Sequence, residues 1–154
     1  QVVALSRDDV RHAFELMAVL EGLAGELAAA RVSDDDLAEL HTLQAEMEAA
    51  HGRRDLPAYY AINRAIHDRL SAIAGNPILA HTYRTLNARL HALRFRSNLN
   101  VAKWNQAVAE HRDMIAALAV RDGAALRDLL IRHVRAKQQV VLETMNNEED
   151  PGAK

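Results

Sequence analysis

The sequence contains no cysteine and few residues that would interrupt a helix. Without cysteine, the 154-residue chain can form no disulfide bond, no thiolate metal site and no cysteine nucleophile. This composition suits a reducing compartment, and we expect the protein to be cytoplasmic. Only three prolines and six glycines occur, so long stretches of the chain can remain helical.

Charge and hydropathy exclude two further classes of protein. The net charge is −2, with acids and bases interspersed, so we expect no surface built for nucleic-acid phosphates. No apolar run approaches the roughly 20 residues of a membrane span, and no signal-peptide pattern opens the chain. The length fits one domain. Because the first residue is Gln rather than Met, we expect the chain to be part of a longer protein.

Capping residues predict where the helices begin. Ser6 with Asp9, and Ser33 with Asp36, form the pattern of a capping box. Asp55 is placed to cap a third helix that has a proline in its first turn. The predicted helices span about residues 7–31, 34–51, 56–74, 77–96, 102–120 and 124–145.

Glycine and proline predict where the helices end. Gly52 and Gly75 are expected to follow the second and third helices, and Asn76-Pro77 then caps and starts the fourth. Residues 97–100 are predicted to form a loop, and residues 121–123 a turn. Because the joints are short, neighbouring helices are expected to run antiparallel.

Every predicted helix carries an apolar stripe, and no strand pattern competes. On the first helix, Val10, Phe14 and Met17 lie along one side, and either Leu20 or Glu21 continues it. We therefore predict an all-α fold, an antiparallel bundle of about six helices with a buried pocket for a ligand or metal.

Three histidines lie in the apolar stripes of three different helices. On the third helix, Asn63 and His67 are one turn apart on the face that also carries Leu70. His111 lies in the stripe of the fifth helix, and His133 in that of the sixth. We therefore expect all three imidazoles to face the interior of the bundle.

The other five histidines have different surroundings. His12, His41 and His81 have polar neighbours at helical spacing, and His51 lies at a helix end, so we expect these four to be solvated. His91 remains open, because its neighbours would also suit a residue that lines a pocket.

Buried histidines can be accommodated in two ways. An unpartnered buried polar group costs about 2–7 kcal/mol, so each ring could be neutral and bonded to a carbonyl or hydroxyl. Alternatively, converging imidazoles could share a metal, which can return on the order of 10 kcal/mol or more. Three imidazoles and one oxygen suit Zn²⁺ best, with Ni²⁺, Mn²⁺ or Fe²⁺ as alternatives, and leave room for a ligand carboxylate.

The segments around these histidines resemble a known domain family. The sequence Asn-Arg-Ala-Ile-His at 63–67, with Gly-Asn-Pro at 75–77, resembles the third-helix motif of the FadR-type C-terminal domain (FCD) of GntR-family transcription regulators. Glu110-His111 and the Arg-Asp-Gly at 121–123 resemble another element of that family, and His133 stands where the family has its last histidine. The first helix is similar too, so the resemblance covers almost the whole chain.

The resemblance implies a helical effector-binding domain over residues 1–145. Because residues 146–154 are polar, we predict that they form a disordered tail. The resemblance further implies a homodimer and a winged helix-turn-helix DNA-binding domain that is not part of this sequence. In metal-binding members, one Asp and three His hold a divalent metal that helps to capture a small organic acid. Carried onto this chain, the metal ligands are Asn63, His67, His111 and His133.

Two positions depart from the family pattern. Asn63 replaces the commoner Asp, which removes a negative charge but keeps an oxygen that can bind a metal. Met17 stands where the family has an Arg directed at the effector acid. We therefore take Arg89, Arg94 and Arg96, together with Met17, as candidate effector-binding residues. For each arginine, a solvated helix face is the commoner alternative.

These observations favour a ligand sensor over two other functions. An enzyme could use the metal to activate water, but it would need a general base, and neither Glu110 nor Asp113 is expected to face inward. A purely structural domain would keep three hydrogen-bonded histidines in a metal-free core. We expect a metal-assisted sensor of a small organic acid, and not an enzyme.

Overall fold

The protein folds as a helical bundle. The computed structural model describes residues 5–97 and 101–149, with the side chains of residues 5–91 and 103–146. These residues contain no strand, and the all-α fold class predicted from the sequence is confirmed. The described residues form α1 (Arg7–Arg31), α2 (Asp34–Gly52), α3 (Leu56–Ile73), α4 (Pro77–Ser97), α5 (Val101–Ala119) and α6 (Gly123–Glu149).

The predicted capping residues start the helices. The Ser6 hydroxyl accepts the backbone N–H of Asp9, whose carboxylate accepts the N–H of Ser6 in return. Ser33 and Asp36 repeat this arrangement at α2, and Asp55 caps α3. Each such cap satisfies backbone donors that a helix start leaves without a partner and contributes about 1 kcal/mol.

The residues that take the left-handed backbone conformation after the helices are arginines as well as a glycine. Gly75, with φ of 64°, lies in the left-handed region after α3, as its position in the sequence suggests. Gly52 is the last residue of α2, but the left-handed residue that follows is Arg54, with φ of 56°. Arg121, with φ of 57°, is the left-handed residue that follows α5. Backbone hydrogen bonds to the last turns of these helices offset the strain, which is about 1–2 kcal/mol for a residue with a Cβ.

The largest difference between a predicted helix boundary and the observed one is at the end of α6. The helix was predicted to stop at residue 145, but it continues to Glu149. The first residues of the predicted tail are therefore helical, and residues 150–154 lie outside the described residues. Of the predicted loop, Ser97 is the last residue of α4, and residues 98–100 lie outside the described residues.

α1 and α6 run antiparallel along much of their length. At one end the Arg7 guanidinium donates to the Leu142 carbonyl, and towards the other Arg127 donates to Glu26. Gly25 lies between these points and lets the two helices approach closely, because it has no Cβ. In contrast, α3 and α5 run parallel, so their side chains meet in the same order along both helices: Tyr59 contacts Trp104, and His67 contacts His111.

The three histidines lie where two apolar clusters adjoin. One cluster is centred on α2, α3 and α5, and the other on α1, α4 and α6. Along α6, His133 lies between Leu130, which belongs to the first cluster, and Val134, which belongs to the second. None of the helices formed by the described residues combines the length and the apolar character that a bilayer crossing requires.

We predict that Gly25→Ala destabilises the domain. A Cβ at this position would clash with the Leu130 side chain and would lie 3.0 Å from Leu126 Cγ. Overpacking costs about 1–3 kcal/mol and should outweigh the roughly 1 kcal/mol that alanine gains in a helix. The free energy of unfolding in urea measures the effect. Gly52→Ala is the control, because no atom lies within 4 Å of its added Cβ; equal stability of the two variants would contradict the close packing of α1 on α6.

Candidate metal centre

The structure brings the three predicted histidines together in the core. His67, His111 and His133 are 3%, 0% and 5% exposed. One ring nitrogen from each lies within 4.8 Å of the others, and the Nε2 atoms of His67 and His111 are 3.1 Å apart. The expectation that these rings face the interior is therefore confirmed, from three separate helices.

An oxygen atom lies within 2.8 Å of the Nδ1 atom of each of the three rings. His111 Nδ1 donates to the Ala107 carbonyl at 2.7 Å, and His133 Nδ1 donates to the Glu110 carboxylate at 2.6 Å. His67 Nδ1 lies 2.8 Å from Glu21 Oε2. A carbonyl can only accept, so His111 must carry a proton on Nδ1, and the two carboxylates favour the same tautomer in the other rings.

This tautomer leaves the centre of the site without a hydrogen-bond donor. A neutral imidazole protonated on Nδ1 has only a lone pair on Nε2. The Nε2 atoms of His67 and His111 are 3.1 Å apart. If both rings are in this tautomer, neither Nε2 atom carries a proton to share. A cation, either a proton or a metal ion, removes this repulsion. Oxygen acceptors behind the rings are also the usual way in which proteins orient histidine ligands.

The spacing fits a metal of ordinary size. Two nitrogens about 2.1 Å from one ion are about 3.0 Å apart at a right angle and about 3.4 Å apart at the tetrahedral angle. The 3.1 Å between His67 Nε2 and His111 Nε2 lies between these values. The rings of His67 and His133 are stacked with centroids 5.5 Å apart, and His111 meets both edge-on.

Burial and charge act in opposite directions on the His133–Glu110 pair. Burial lowers the pKa of His133 and outweighs the hydrogen bond that the ring donates to Glu110, which raises this pKa. Burial raises the pKa of Glu110. The hydrogen bond from His133 and its charge when the ring is protonated lower that pKa, with smaller effects from Gln106 and Arg132, and the net shift is downward. The pair therefore favours a neutral ring, the form that binds metals, beside an ionised carboxylate.

A narrow cleft between α3, α5 and α6 opens onto one side of the site. Asn63, the fourth predicted ligand, is 9% exposed and borders this cleft together with His133. Its ability to bind a metal stays a prediction. Lys103 and Lys137 border the same cleft.

The predicted effector-binding residues are dispersed. Met17 is fully buried in the apolar cluster of α1, α4 and α6. Arg89 is exposed and borders a surface depression between α1 and α4, away from the cleft that His133 borders. Arg94 and Arg96 belong to α4, but their side chains lie outside the described residues. Their role in effector binding stays a prediction.

Most of the remaining histidines are at the surface, as expected. His12, His41 and His81 are exposed. His51 is half-buried instead, because its Nε2 lies 2.7 Å from Asn105 Oδ1 and its ring meets Trp104 edge-on. His91 is exposed and borders a polar depression between α3 and α4.

Sequence reasoning did not assign a role to the carboxylates behind the rings. Glu21 is 3% exposed, so it is Glu21 rather than Leu20 that continues the buried side of α1. Its spacing from Met17 was the available signal, since a glutamate inside an apolar stripe requires a polar partner. Glu110 was considered only as a catalytic base, whereas the structure pairs it with His133.

A family model describes most of this chain. The model of the FCD domain matches residues 12–136. The chain belongs to the FCD domain family. FCD domains of this kind occur in GntR-family transcription regulators, so the resemblance stated from the sequence is confirmed.

The relatives of this FCD domain are transcription regulators and not enzymes. The HTH-type transcriptional repressor RspR of Escherichia coli K12 is 21% identical over 146 residues, which are 95% of this chain and 64% of the repressor. The chain thus spans slightly less than two-thirds of that relative. Solved structures share the fold: E. coli McbR/YncC with a TM-score of 0.85 and 19% identity, and Streptococcus agalactiae GntR with 0.75 and 23%. These matches cover 92% and 89% of this chain, and 71% and 62% of the other chains.

We predict that the metal-free FCD domain loses stability as the pH falls below about 6.5, the ordinary pKa of histidine. Because burial lowers the pKa of folded His133, the unfolded chain takes up a proton first, and acid favours unfolding. Urea unfolding in EDTA between pH 7.5 and 5.5 measures this slope, which should be shallower in His133→Gln. His12→Gln, an exposed control, should keep the wild-type slope. An unchanged slope in His133→Gln would contradict a neutral buried ring.

Proposed function

We propose that this FCD domain is the sensing part of a GntR-family regulator of the FadR subfamily and that it binds a small organic acid through a divalent metal. The observation that carries the proposal is the convergence of three ring nitrogens in the core, with an oxygen within 2.8 Å of the Nδ1 atom of each ring. Zn²⁺ suits this set best, with Ni²⁺, Mn²⁺ or Fe²⁺ as alternatives.

The chain's own residues would prepare the site for the ion. His67, His111 and His133 would supply neutral nitrogen ligands, and the Asn63 oxygen would supply a fourth from the cleft. A bound divalent ion attracts carboxylates and can keep a position open for one. Because Asn63 adds no charge, acidic groups contact the ring set only from behind, where Glu21 lies beside His67 and Glu110 beside His133.

Effector binding would alter DNA binding by a winged-helix domain attached to this one. The relatives are longer than this chain, which supports such a second domain. The metal ligands come from α3, α5 and α6, so an acid bound there contacts helices that can shift relative to one another. If the helices have two alternative packings, the acid changes DNA binding only to the extent that it binds one packing more tightly than the other. We also propose a homodimer, for which the exposed Leu16, Val19 and Leu23 on one side of α1 offer an apolar surface.

An enzymatic role has less support from the site. Glu110 is bonded to His133 and Gln106, and Asp113 is exposed, so neither is directed at the centre of the ring set. A hydrolase would need a general base there.

We predict that replacing two of the histidines abolishes metal binding. The EDTA-treated wild-type domain should take up one Zn²⁺ in isothermal titration, and His111→Gln/His133→Gln should bind it at least 100-fold more weakly, because two of three nitrogen ligands are lost. His12→Gln/His41→Gln is the matched control on exposed histidines. Circular dichroism establishes that each variant is folded. A folded wild-type domain without Zn²⁺, Ni²⁺, Mn²⁺ or Fe²⁺ uptake would refute the proposal.

We predict that Asn63→Asp strengthens metal binding. The substitution changes little in size and adds a negative charge beside the ring set, so the affinity for Zn²⁺ should rise about tenfold or more. Asn146→Asp, at an exposed position on α6, adds the same charge elsewhere and should leave the affinity unchanged. Equal affinities of Asn63→Asp and the wild type would show that residue 63 does not contact the ion.

A further inference from the structure

We propose that Ser71 is a positioning residue for the histidine set. Through one water molecule, bound in a small cavity beside His67, it keeps the Glu21 carboxylate in place behind that ring. This inference rests on the proposed function, because it concerns the orientation of one of the candidate metal ligands. Three observations carry it: the size and lining of the cavity, the direction of the Ser71 hydroxyl, and the contact between Glu21 and His67.

A small cavity lies beside His67. Glu21 of α1, Ser71 of α3 and Tyr83 of α4 border it together with His67, and apolar side chains form the remainder of its wall. All of these residues are buried, with Ser71 6% exposed. The cavity shares no lining residue with the cleft between α3, α5 and α6. Its free volume is about 10 Å³, about the smallest space that holds one water molecule, so it is too small for an organic ligand.

The Ser71 hydroxyl is directed away from its own helix. A serine or threonine inside a helix can donate to the carbonyl four residues earlier. Four hydroxyls of this chain do so, those of Thr42, Thr82, Thr85 and Thr144. The buried Ser71 Oγ makes no such bond and has no other hydrogen-bond partner among the described residues. Because a buried hydroxyl without a partner is costly, Ser71 requires one in the cavity that it borders.

A water molecule in this cavity has the partners that it requires. Buried waters make about three hydrogen bonds each. The Ser71 hydroxyl can donate or accept one of them. A carboxylate has about four acceptor positions, so Glu21 can accept a bond from the water in addition to its contact with His67. Tyr83 borders the same space, and a tyrosine hydroxyl can supply the third bond.

Glu21 is the link through which the water acts on the ring. Its Oε2 lies 2.8 Å from His67 Nδ1, and it belongs to α1, whereas His67 and Ser71 are one turn apart on α3. An additional hydrogen bond from the water opposes rotation of the carboxylate and so keeps Oε2 at Nδ1. Removing a direct partner of a histidine ligand weakens metal binding by about 10- to 100-fold. Ser71 acts one step further out, so its effect should be smaller.

Proton exchange of the imidazole rings tests the proposal on the metal-free domain. In nitrogen-edited NMR spectra, the Nδ1 proton of His67 should exchange with solvent at least about threefold faster in Ser71→Ala than in the wild type, because its acceptor is less constrained. The Nδ1 proton of His133, which is bonded to Glu110, should keep its rate. Thr42→Ala removes an exposed hydroxyl from α2 and is the control, which should change neither rate.

The affinity for Zn²⁺ separates a positioning role from a structural one. In isothermal titration, Ser71→Ala should bind Zn²⁺ about threefold to tenfold more weakly than the wild type, and Glu21→Gln about tenfold or more. Glu21→Gln/Ser71→Ala should bind it no more weakly than Glu21→Gln alone, because Ser71 acts through Glu21. Losses that multiply in the double variant would show two independent effects and would overturn the proposal.

The outcomes distinguish this proposal from the function on which it rests. If the wild type takes up no metal, the proposed function fails, whereas the exchange rates still decide whether Ser71 positions the His67 ring. Equal exchange at His67 in Ser71→Ala and the wild type would overturn the positioning role. Faster exchange at His67 and His133 alike would overturn it too, because it indicates a general loosening of the core. A crystal structure of the metal-free domain must also contain a water in contact with both Ser71 and Glu21; without that water the proposal is wrong.

Discussion

The burial of three imidazoles whose Nδ1 atoms are all turned towards oxygens is the constraint on which the site depends. Because the Ala107 carbonyl and the Glu110 carboxylate accept from His111 and His133, the free lone pairs point inward. Glu21, 2.8 Å from His67 Nδ1, favours the same tautomer in His67. Lone pairs so close together repel one another in an apolar core, where charges are poorly screened. A cation at the centre turns that repulsion into attraction, so the arrangement is one that a metal would stabilise.

The fold supplies this constraint through helix packing. The parallel course of α3 beside α5 brings His67 to the level of His111, and the antiparallel pair of α1 and α6 brings Glu21 and His133 to the same level. The ligands thus belong to helices that are far apart in the sequence. Any change in packing between α1, α3, α5 and α6 would alter the geometry of the centre, and binding at the centre would act on that packing in turn.

Local signals predicted most of the fold, because helix starts depend on residues close together in the chain. The capping boxes at Ser6 and Ser33 are contacts over three residues, and the structure has both. The end of α6 was less predictable, since the polar residues 146–149 lack an apolar stripe but still continue the helix. Left-handed Arg54 was also unexpected, because ordinary propensity favours glycine there.

The sequence by itself determined the six helices, the family, and the three histidines that face the core, because periodicity shows which side of a helix is buried. Only the tertiary structure decided which groups meet. Glu21 and Glu110 stand behind the rings, and Lys103 and Lys137 border the cleft, because helices distant in sequence pack side by side. Spacing along one helix carries no information about its neighbour's rotation or register, and those two quantities set the distances from which the chemistry of the site follows.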